Sequence, residues 1–415
     1  MVAPEIGCVV GIDVAKRAHV VCALDAATGS VRQRPTSIEA TSEGYAQLIA
    51  WLRAWGEPPT LLVGVEATGS LWEPLYDALV LAGYTVVVLN PRQTAMWAAS
   101  LGLRAKTDGL DAHTLARGLL AGYARASTVP SETVQALRAL TRARRDLVVS
   151  QSAARQRLQD ELVLVFPELP SHTPDGCDLA TPALLRLLST ASSAHVLAKL
   201  AIPGLTRLLE ESSAGRWGTA HAEALHTLAC HSAASTRAVT ARGVVVRTLA
   251  LHLLDLQQRI AELESAIADL LKDDADSQRL QSIPGIGPGH AATIRAELGD
   301  VARFSNVDQV IAYAGLEPRT HQSGAFVGQK HLSKRGPGAL RHALYLAALV
   351  AVRFAPEWRQ RYQRLLDRGR AKKEALTILS RALLKVIYHL LRTGTAYASA
   401  LLIPAGRPAG VDTPI

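Results

Sequence analysis

The chain has 415 residues, too many for one ordinary core, so two or three domains are expected. Lys and Arg outnumber Asp and Glu by 45 to 36, a net charge of +9, which points to a polyanionic partner and nucleic acid first. No apolar run is long enough to span a bilayer, which excludes a membrane-spanning class, and the N-terminus shows no secretory pattern, so a cytoplasmic protein is expected.

From Cys8 the sequence CVVGIDVAKRAHVVCALDAATGSVRQRP has two β-branched runs joined by a short polar link and a third run after Gly29, which predicts an antiparallel meander. Ser42 to Trp55 has helical period, with Tyr45, Leu48, Ile49 and Leu52 as its apolar stripe. A strand is predicted over Leu61 to Val65, a helix from about Leu71 to Ala82 with Gly83 as its stop, and a strand over Thr85 to Leu89. Three strands, helix, strand, helix, strand, helix is the order of a ribonuclease-H-like α/β sheet.

Four acids stand out in this region. Asp13 and Glu66 lie where apolar strand patterns stop, and Asp108 and Asp111, in KTDGLDAHTLAR, share one face of a helix-like run. Such a cluster of like charges is costly without cations, because each carboxylate raises the pKa of the next. One or two Mg²⁺ ions held by the acids and substrate phosphates would activate phosphodiester cleavage or transfer. Lys16 and Lys106 flank the acids and could neutralise phosphate. Taken singly, Asp13 could cap a turn, Glu66 could pair with Arg92, and the two helix acids could simply favour the helix N-terminus.

Past Pro130 a long helix is expected over Ser131 to Val165, with Arg138, Arg142, Arg144 and Arg145 in its basic half and an imperfect apolar seam. That half faces either nucleic acid or solvent. Shorter helices follow around Ala183 to Leu188, Ser193 to Leu200 and Leu205 to Glu211, and Arg216 and Trp217 offer a basic and an aromatic group near a turn. From about Val244 to Lys272 the seam Val246, Leu249, Leu253, Leu256, Ile260, Leu263, Ile267 and Leu270 predicts a coiled coil, formed within the chain or with another subunit. The scattered Cys8, Cys22, Cys177 and Cys230 show no zinc or disulfide spacing, so buried reduced thiols are expected.

LQSIPGIGPG, from Leu280, reads as a hairpin between helices. Gly285 and Gly287 would let backbone N–H groups approach a nucleic-acid phosphate; the same glycines would also serve a tight turn between helices. Lys330, Lys334, Arg335 and Arg341 look like phosphate binders, and a dense run of Arg and Lys from Arg353 to Lys373 fits the same task. The tail from Pro404 is expected to be flexible.

GIDVAK, VGVEATG, VLNPRQ and KTDGLDAHTLAR, in that order, resemble the DEDD transposases of bacterial insertion sequences, the IS-one-ten (IS110) family with its Piv invertase relatives. Gly315 to Pro318, Gln322 to Gly324 and Ser333 to Gly336 match the family's transposase domain, leaving only the middle unmatched. The resemblance implies a RuvC-like domain with Asp13, Glu66, Asp108 and Asp111 as its acidic tetrad, and a serine nucleophile. Ser323, in the serine-glycine pair, is the first candidate for it and Ser333 the alternative. It also implies a guide (bridge) RNA pairing with donor and target DNA. A homo-oligomer, dimer or tetramer, is the simplest way to handle two DNA partners.

The division expected is a RuvC-like nuclease domain at 1–128, a helical coiled-coil insert at 129–278, a mainly helical transposase domain at 279–403, and the tail. The competing reading is a structure-selective endonuclease of the Holliday-junction resolvase type, which needs the acids but no covalent serine. A third is an RNA-binding scaffold with decayed acids.

Overall fold

The computed structural model describes residues 5–67, 69–102, 108–123, 126–127, 129–319, 322–323, 326–327 and 331–399, without side chains at 108–110, 126–127, 319, 322–323, 326–327 and 331. Lys106, Lys330 and the tail from Pro404 lie outside them. The chain forms two compact units, Met1–Val129 and Pro130–Ile415.

The first unit is a mixed α/β sheet with helices. Strands β1 (Cys8–Asp13), β2 (Ala18–Asp25) and β3 (Val31–Glu39) form the expected meander, followed by α1 (Ser42–Trp55), β4 (Leu61–Glu66), α2 (Glu73–Leu81), β5 (Thr85–Leu89), α3 (Pro91–Ser100), α4 (Asp108–Leu120) and a short β6 (Ala126–Ser127). The strand order is β3-β2-β1-β4-β5-β6, with β1, β4 and β5 mutually parallel. The parallel strands are covered on both faces, which is why they read as near-continuous apolar runs. Val10, Ile12, Val63 and Val65 pack against Leu48, Leu52, Leu75 and Leu79 of α1 and α2. Val9 and Leu89 pack on the opposite side against Leu115 and Leu119 of α4.

Local chemistry sets the helix ends. Thr41 caps α1 by accepting from the Gly44 N–H, and Gly83 follows α2 at φ +91°, the left-handed stop expected of it. Helix α3, which the sequence pattern did not separate, starts on an Asn90 cap with Pro91 in its first turn.

The second unit is helical: α5 (Glu132–Val165), α6 (Pro182–Thr190), α7 (Ala194–Leu197), α8 (Ile202–Ser213), α9 (Thr219–Cys230), α10 (Val239–Lys272), α11 (Ala275–Gln281), α12 (Pro288–Leu298), α13 (Val307–Ala314), α14 (Gly338–Phe354), α15 (Pro356–Asp367) and α16 (Lys372–Thr393), with two-residue strands β7 (Pro318–Arg319), β8 (Gln322–Ser323), β9 (Phe326–Val327) and β10 (His331–Leu332). The two long apolar seams meet within the chain. Helices α5 and α10 run antiparallel, with ion pairs Arg144–Glu264 and Arg242–Glu161 near opposite ends. Leu158, Leu162 and Val165 join Val246, Leu253 and Leu256 in one core with α6 to α9, and Leu137 joins Ile267, Leu271, Ala292 and Ala296 in another. A third core gathers α11 to α16 around Leu344, Trp358, Leu383 and Ile387.

Three of the four arginines in the basic half of α5 contact other helices of this unit, while Arg142 and Arg145 keep an exposed face. Arg138 donates to the Ala296 carbonyl, Arg142 pairs with the buried Glu297, and Arg144 takes Glu264. Trp217 likewise packs: it is 1% exposed and donates from Nε1 to Asp175. Cys8 and Cys22 are buried, and burial pushes the Cys22 thiol up to about 11. The expectation of four buried thiols fails at Cys177, which is half-buried, and at Cys230, which is exposed at the last residue of α9. Among the described residues no single helix is long and apolar enough to cross a membrane.

Candidate active site

The site begins with two glycines. Gly11 of β1 and Gly64 of β4 are register partners on adjacent parallel strands. A Cβ on Gly11 would lie 2.4 Å from both the Ala112 carbonyl oxygen and the Ala116 nitrogen, and one on Gly64 would lie 2.2 Å from Leu119 Cδ1. The backbone of α4 therefore rests directly on the sheet, with Ala112, Leu115, Ala116 and Leu119 as its buried stripe at helical spacing.

Strand alternation then places the acids. Asp13 is two residues past Gly11 and Glu66 two past Gly64, so both share the α4 face. The last register pair is Ile12–Val65, which puts the two carboxylates on the next rung, at the C-terminal ends of neighbouring strands. Both are half-buried. On α4, Asp111 is half-buried beside Ala112 on the helix edge that meets the sheet, and Asp108 opens the helix one turn earlier with its side chain outside the described residues.

Two groups that sequence reasoning missed brace the strand ends. Thr94, buried on α3, donates its hydroxyl to Glu66 Oε1. His19, 1% exposed on β2, accepts from the Ala15 N–H through Nδ1 at 3.2 Å and meets the Tyr45 hydroxyl through Nε2 at 3.3 Å, fixing the turn after Asp13 on which Lys16 is exposed. Burial lowers the His19 pKa. The Asn90–Pro91 helix start, which sets the fourth residue of the turn over the strand end, was the available signal for Thr94. For His19 there was none beyond its place in an apolar strand.

Among the described residues no group of three His, Cys, Asp or Glu side chains stands close enough to hold a metal ion. The pair Asp13 and Glu66 still fits a hard divalent cation, since Mg²⁺ is commonly bound through one or two carboxylates with substrate phosphates completing its shell.

In the second unit, two sequence motifs turn out to be one interlocked structure. Gly315 ends α13 at φ +67°, β7 pairs with β10, the Ser333 N–H donates to the Glu317 carbonyl, and the Lys334 N–H donates to that of Gly315. A Cβ on Gly336 would lie 1.8 Å from the Tyr313 carbonyl oxygen. Arg341 donates to the carbonyls of Ala314 and Gly336 at 3.1 and 2.7 Å, and burial lowers its pKa. The expected phosphate binder at this position is thus a clamp between two loops. Lys334 and Arg335 are exposed.

Gly285 has a packing reason of its own. At φ +90° its Cα faces helix α14, where a Cβ would lie 2.4 Å from the Ala347 carbonyl oxygen, so close helix packing by itself requires a glycine here. Gly287, at the N-terminus of α12, has open space around it. Ser323 lies in β8 opposite Phe326 of β9, its side chain outside the described residues. The Ser333 hydroxyl is buried and has no hydrogen-bond partner among the described residues.

Two family models match the chain: a DEDD transposase model of the IS110 type over residues 10–167, and "Transposase IS116/IS110/IS902 family" over 277–363. The chain is 28% identical to the "Insertion element IS110 uncharacterized 43.6 kDa protein" of Streptomyces coelicolor over 98% of both chains. It is 24% identical to the "Pilin gene-inverting protein" of Moraxella lacunata, over 92% of this chain and 95% of that protein. A RuvC from T. thermophilus, solved with a Holliday junction substrate, matches 29% of this chain and 99% of its own, with 16% identity and a TM-score of 0.22.

Proposed function

Because the chain belongs to the IS110 family of transposases, carrying both of its matched domains, we propose that it is a recombinase that cuts and rejoins DNA at a RuvC-like acidic site with a serine nucleophile. The observation that carries this reading is the placement of Asp13 and Glu66 on adjacent strand ends, on the face that α4 covers with Asp111. Asp108, one turn before Ala112 on that helix, completes the proposed tetrad. A divalent ion, Mg²⁺ in this reading, would supply electrostatic stabilisation to the attacking and leaving oxygens when bound.

Ser323 is the proposed nucleophile. Its Oγ forms a bond to the phosphorus, the bond from phosphorus to one sugar oxygen breaks, and the serine proton ends on that departing sugar hydroxyl. Attack by a second sugar hydroxyl reverses the exchange and rejoins DNA without water. Burial of the Ser333 hydroxyl favours Ser323, since a nucleophile must reach a phosphodiester.

In this reading exposed cations of each unit contact nucleic acid: Lys16 and Arg92 in the first, and Lys334, Arg335, Arg353, Arg359, Arg364, Arg368, Lys372 and Lys373 in the second. Lys106 and Lys330 are assigned the same role from their motifs. A guide RNA and a homo-oligomer belong to the reading through the family resemblance, and the net charge of +9 accords with a second nucleic acid.

The test is covalent trapping on a DNA substrate. Asp13→Asn and Glu66→Gln should abolish cleavage with DNA binding retained, and Ser323→Ala should abolish the protein–DNA adduct. Normal cleavage by Ser323→Ala without an adduct would mean a resolvase-like endonuclease; full activity of Asp13→Asn would remove the acidic site altogether.

A further inference from the structure

The segment Asn90 to Thr94 does a specific job beside Glu66. Glu66 is the register partner of Leu89 on β5, and the Ala67 N–H donates to the Leu89 carbonyl, so β5 ends level with the acid. The chain turns into α3 at once: Asn90 Oδ1 accepts from the Arg92 N–H at 2.9 Å, Pro91 occupies the first turn, and the Thr94 N–H donates to the Asn90 carbonyl at 3.1 Å. This turn carries Thr94 back over the strand end, where it is 9% exposed and its hydroxyl meets Glu66 Oε1.

We propose that Thr94 is a positioning residue for Glu66, holding that carboxylate in the orientation that receives a divalent cation. The proposal rests on the reading of Glu66 as a member of the acidic site. Three features of the side chain suit the task. A helical Thr or Ser hydroxyl favours the rotamer that reaches a carbonyl one turn back, and the Thr94 contact with the Pro91 carbonyl marks that rotamer, so the hydroxyl is aimed before any ligand arrives. A carboxylate oxygen accepting from a neutral hydroxyl keeps its charge for the cation. The Thr94 oxygen also lies 3.0 Å from the Pro91 carbonyl, one turn back, so the single hydroxyl proton has a second acceptor when Glu66 rotates toward a metal. Movement of the carboxylate therefore leaves no unsatisfied buried hydroxyl behind.

Arg92 of this motif is exposed, whereas Thr94 makes a buried contact to the acid. Alanine or valine at 94 would keep the helix and its cap while removing the donor.

The experiment compares Thr94→Val and Thr94→Ser in the full chain, with Thr94→Ala as a second hydroxyl-free variant should valine disturb folding. Mn²⁺ binding is measured by calorimetry without DNA, alongside the Mn²⁺ concentration for half-maximal DNA cleavage and DNA affinity in EDTA. Thr94→Val should weaken Mn²⁺ binding about tenfold, as expected for loss of a hydrogen bond to a charged group, and shift the cleavage midpoint equally. DNA affinity in EDTA should not change, and Thr94→Ser should behave as the parent. The proposal is overturned if the valine and alanine variants bind Mn²⁺ like the parent, or if serine is as defective as valine. Glu66→Gln separates the two levels: if it leaves Mn²⁺ binding and cleavage intact, the acidic reading of Glu66 fails, whereas if it abolishes both while Thr94→Val matches the parent, only the role of Thr94 fails.

Discussion

Gly11 and Gly64 stand opposite each other on neighbouring parallel strands, and each is the point where a side chain would strike helix α4. The strength of the two encounters differs. At Gly11 the obstacles are backbone atoms of Ala112 and Ala116, which cannot move without lifting the helix; at Gly64 the nearest atom is the end of the flexible Leu119 side chain.

Gly11→Ala is therefore expected to be the more damaging change. Overpacking of this kind costs about 1–3 kcal/mol, and here it would also shift Asp111 relative to Asp13 and Glu66. Thermal unfolding and a cleavage assay on the same preparations should show Gly11→Ala losing both stability and activity, with Gly64→Ala closer to the parent in each. Equal behaviour of the two variants would mean that α4 is not seated as described.

A second pair of glycines separates packing from phosphate contact. Gly285→Ala meets a left-handed φ and the α14 backbone together, so it should destabilise the second unit by several kcal/mol. Gly287→Ala has room and an ordinary φ of −86°, and should leave the unfolding midpoint nearly unchanged. Should the α12 N-terminus grip a DNA backbone, the Gly287 variant alone would weaken DNA binding while remaining fully folded.

The contrast between those glycines shows what the sequence could convey. Asp13 and Glu66 were legible because each ends an apolar run that is buried on both faces, and α4 because its apolar residues recur at helical spacing. The packing role of Gly285 was not, since a phosphate loop and a tight helix contact both call for a glycine, and the contact with Ala347, 62 residues on, is visible only in the fold. The structural part of Arg341 was hidden for a similar reason: its charge suggests phosphate, while its partners in the fold are carbonyls of two loops that meet only there. For Thr94 the Asn90–Pro91 helix start was the one available signal, and it was easily passed over because a single hydroxyl one helical turn past a cap has no pattern of its own. The two long seams were clear as seams, while their choice of each other shows only in the shared cores and in contacts such as Arg144–Glu264 between residues 120 apart.

His19 makes the turn after Asp13 sensitive to pH. Burial lowers its folded pKa below the ordinary 6.5, so in acid the unfolded chain takes up this proton before the folded chain does. Stability from His19 is fully present above about pH 6.5 and is lost as pH falls through that value toward the folded pKa. His19→Gln can still bond the Ala15 N–H and the Tyr45 hydroxyl but cannot titrate. Unfolding midpoints followed from about pH 8 to about pH 5 should fall less steeply in the variant. His113 and His290, whose pKa values burial also lowers, contribute to both proteins and cancel in the difference.

Arg341 and Lys334 lie seven residues apart in one motif and should respond to substitution in opposite ways. Arg341 reaches the carbonyls of Ala314 and Gly336 with one nitrogen, tying the end of α13 to the loop that precedes α14. Arg341→Gln removes that charged donor and should cost about 1.5–3 kcal/mol of stability, the range for hydrogen bonds to charged groups. The dependence of DNA affinity on salt should be the same as in the parent, because no phosphate contact is lost. Lys334 is exposed, at φ +49°, so Lys334→Gln should leave the unfolding midpoint almost unaltered. If that lysine meets a phosphate, its loss should lower the slope of log affinity against log salt by about one. A reduced slope in the Arg341 variant at unchanged stability would reverse these assignments and return Arg341 to the DNA surface.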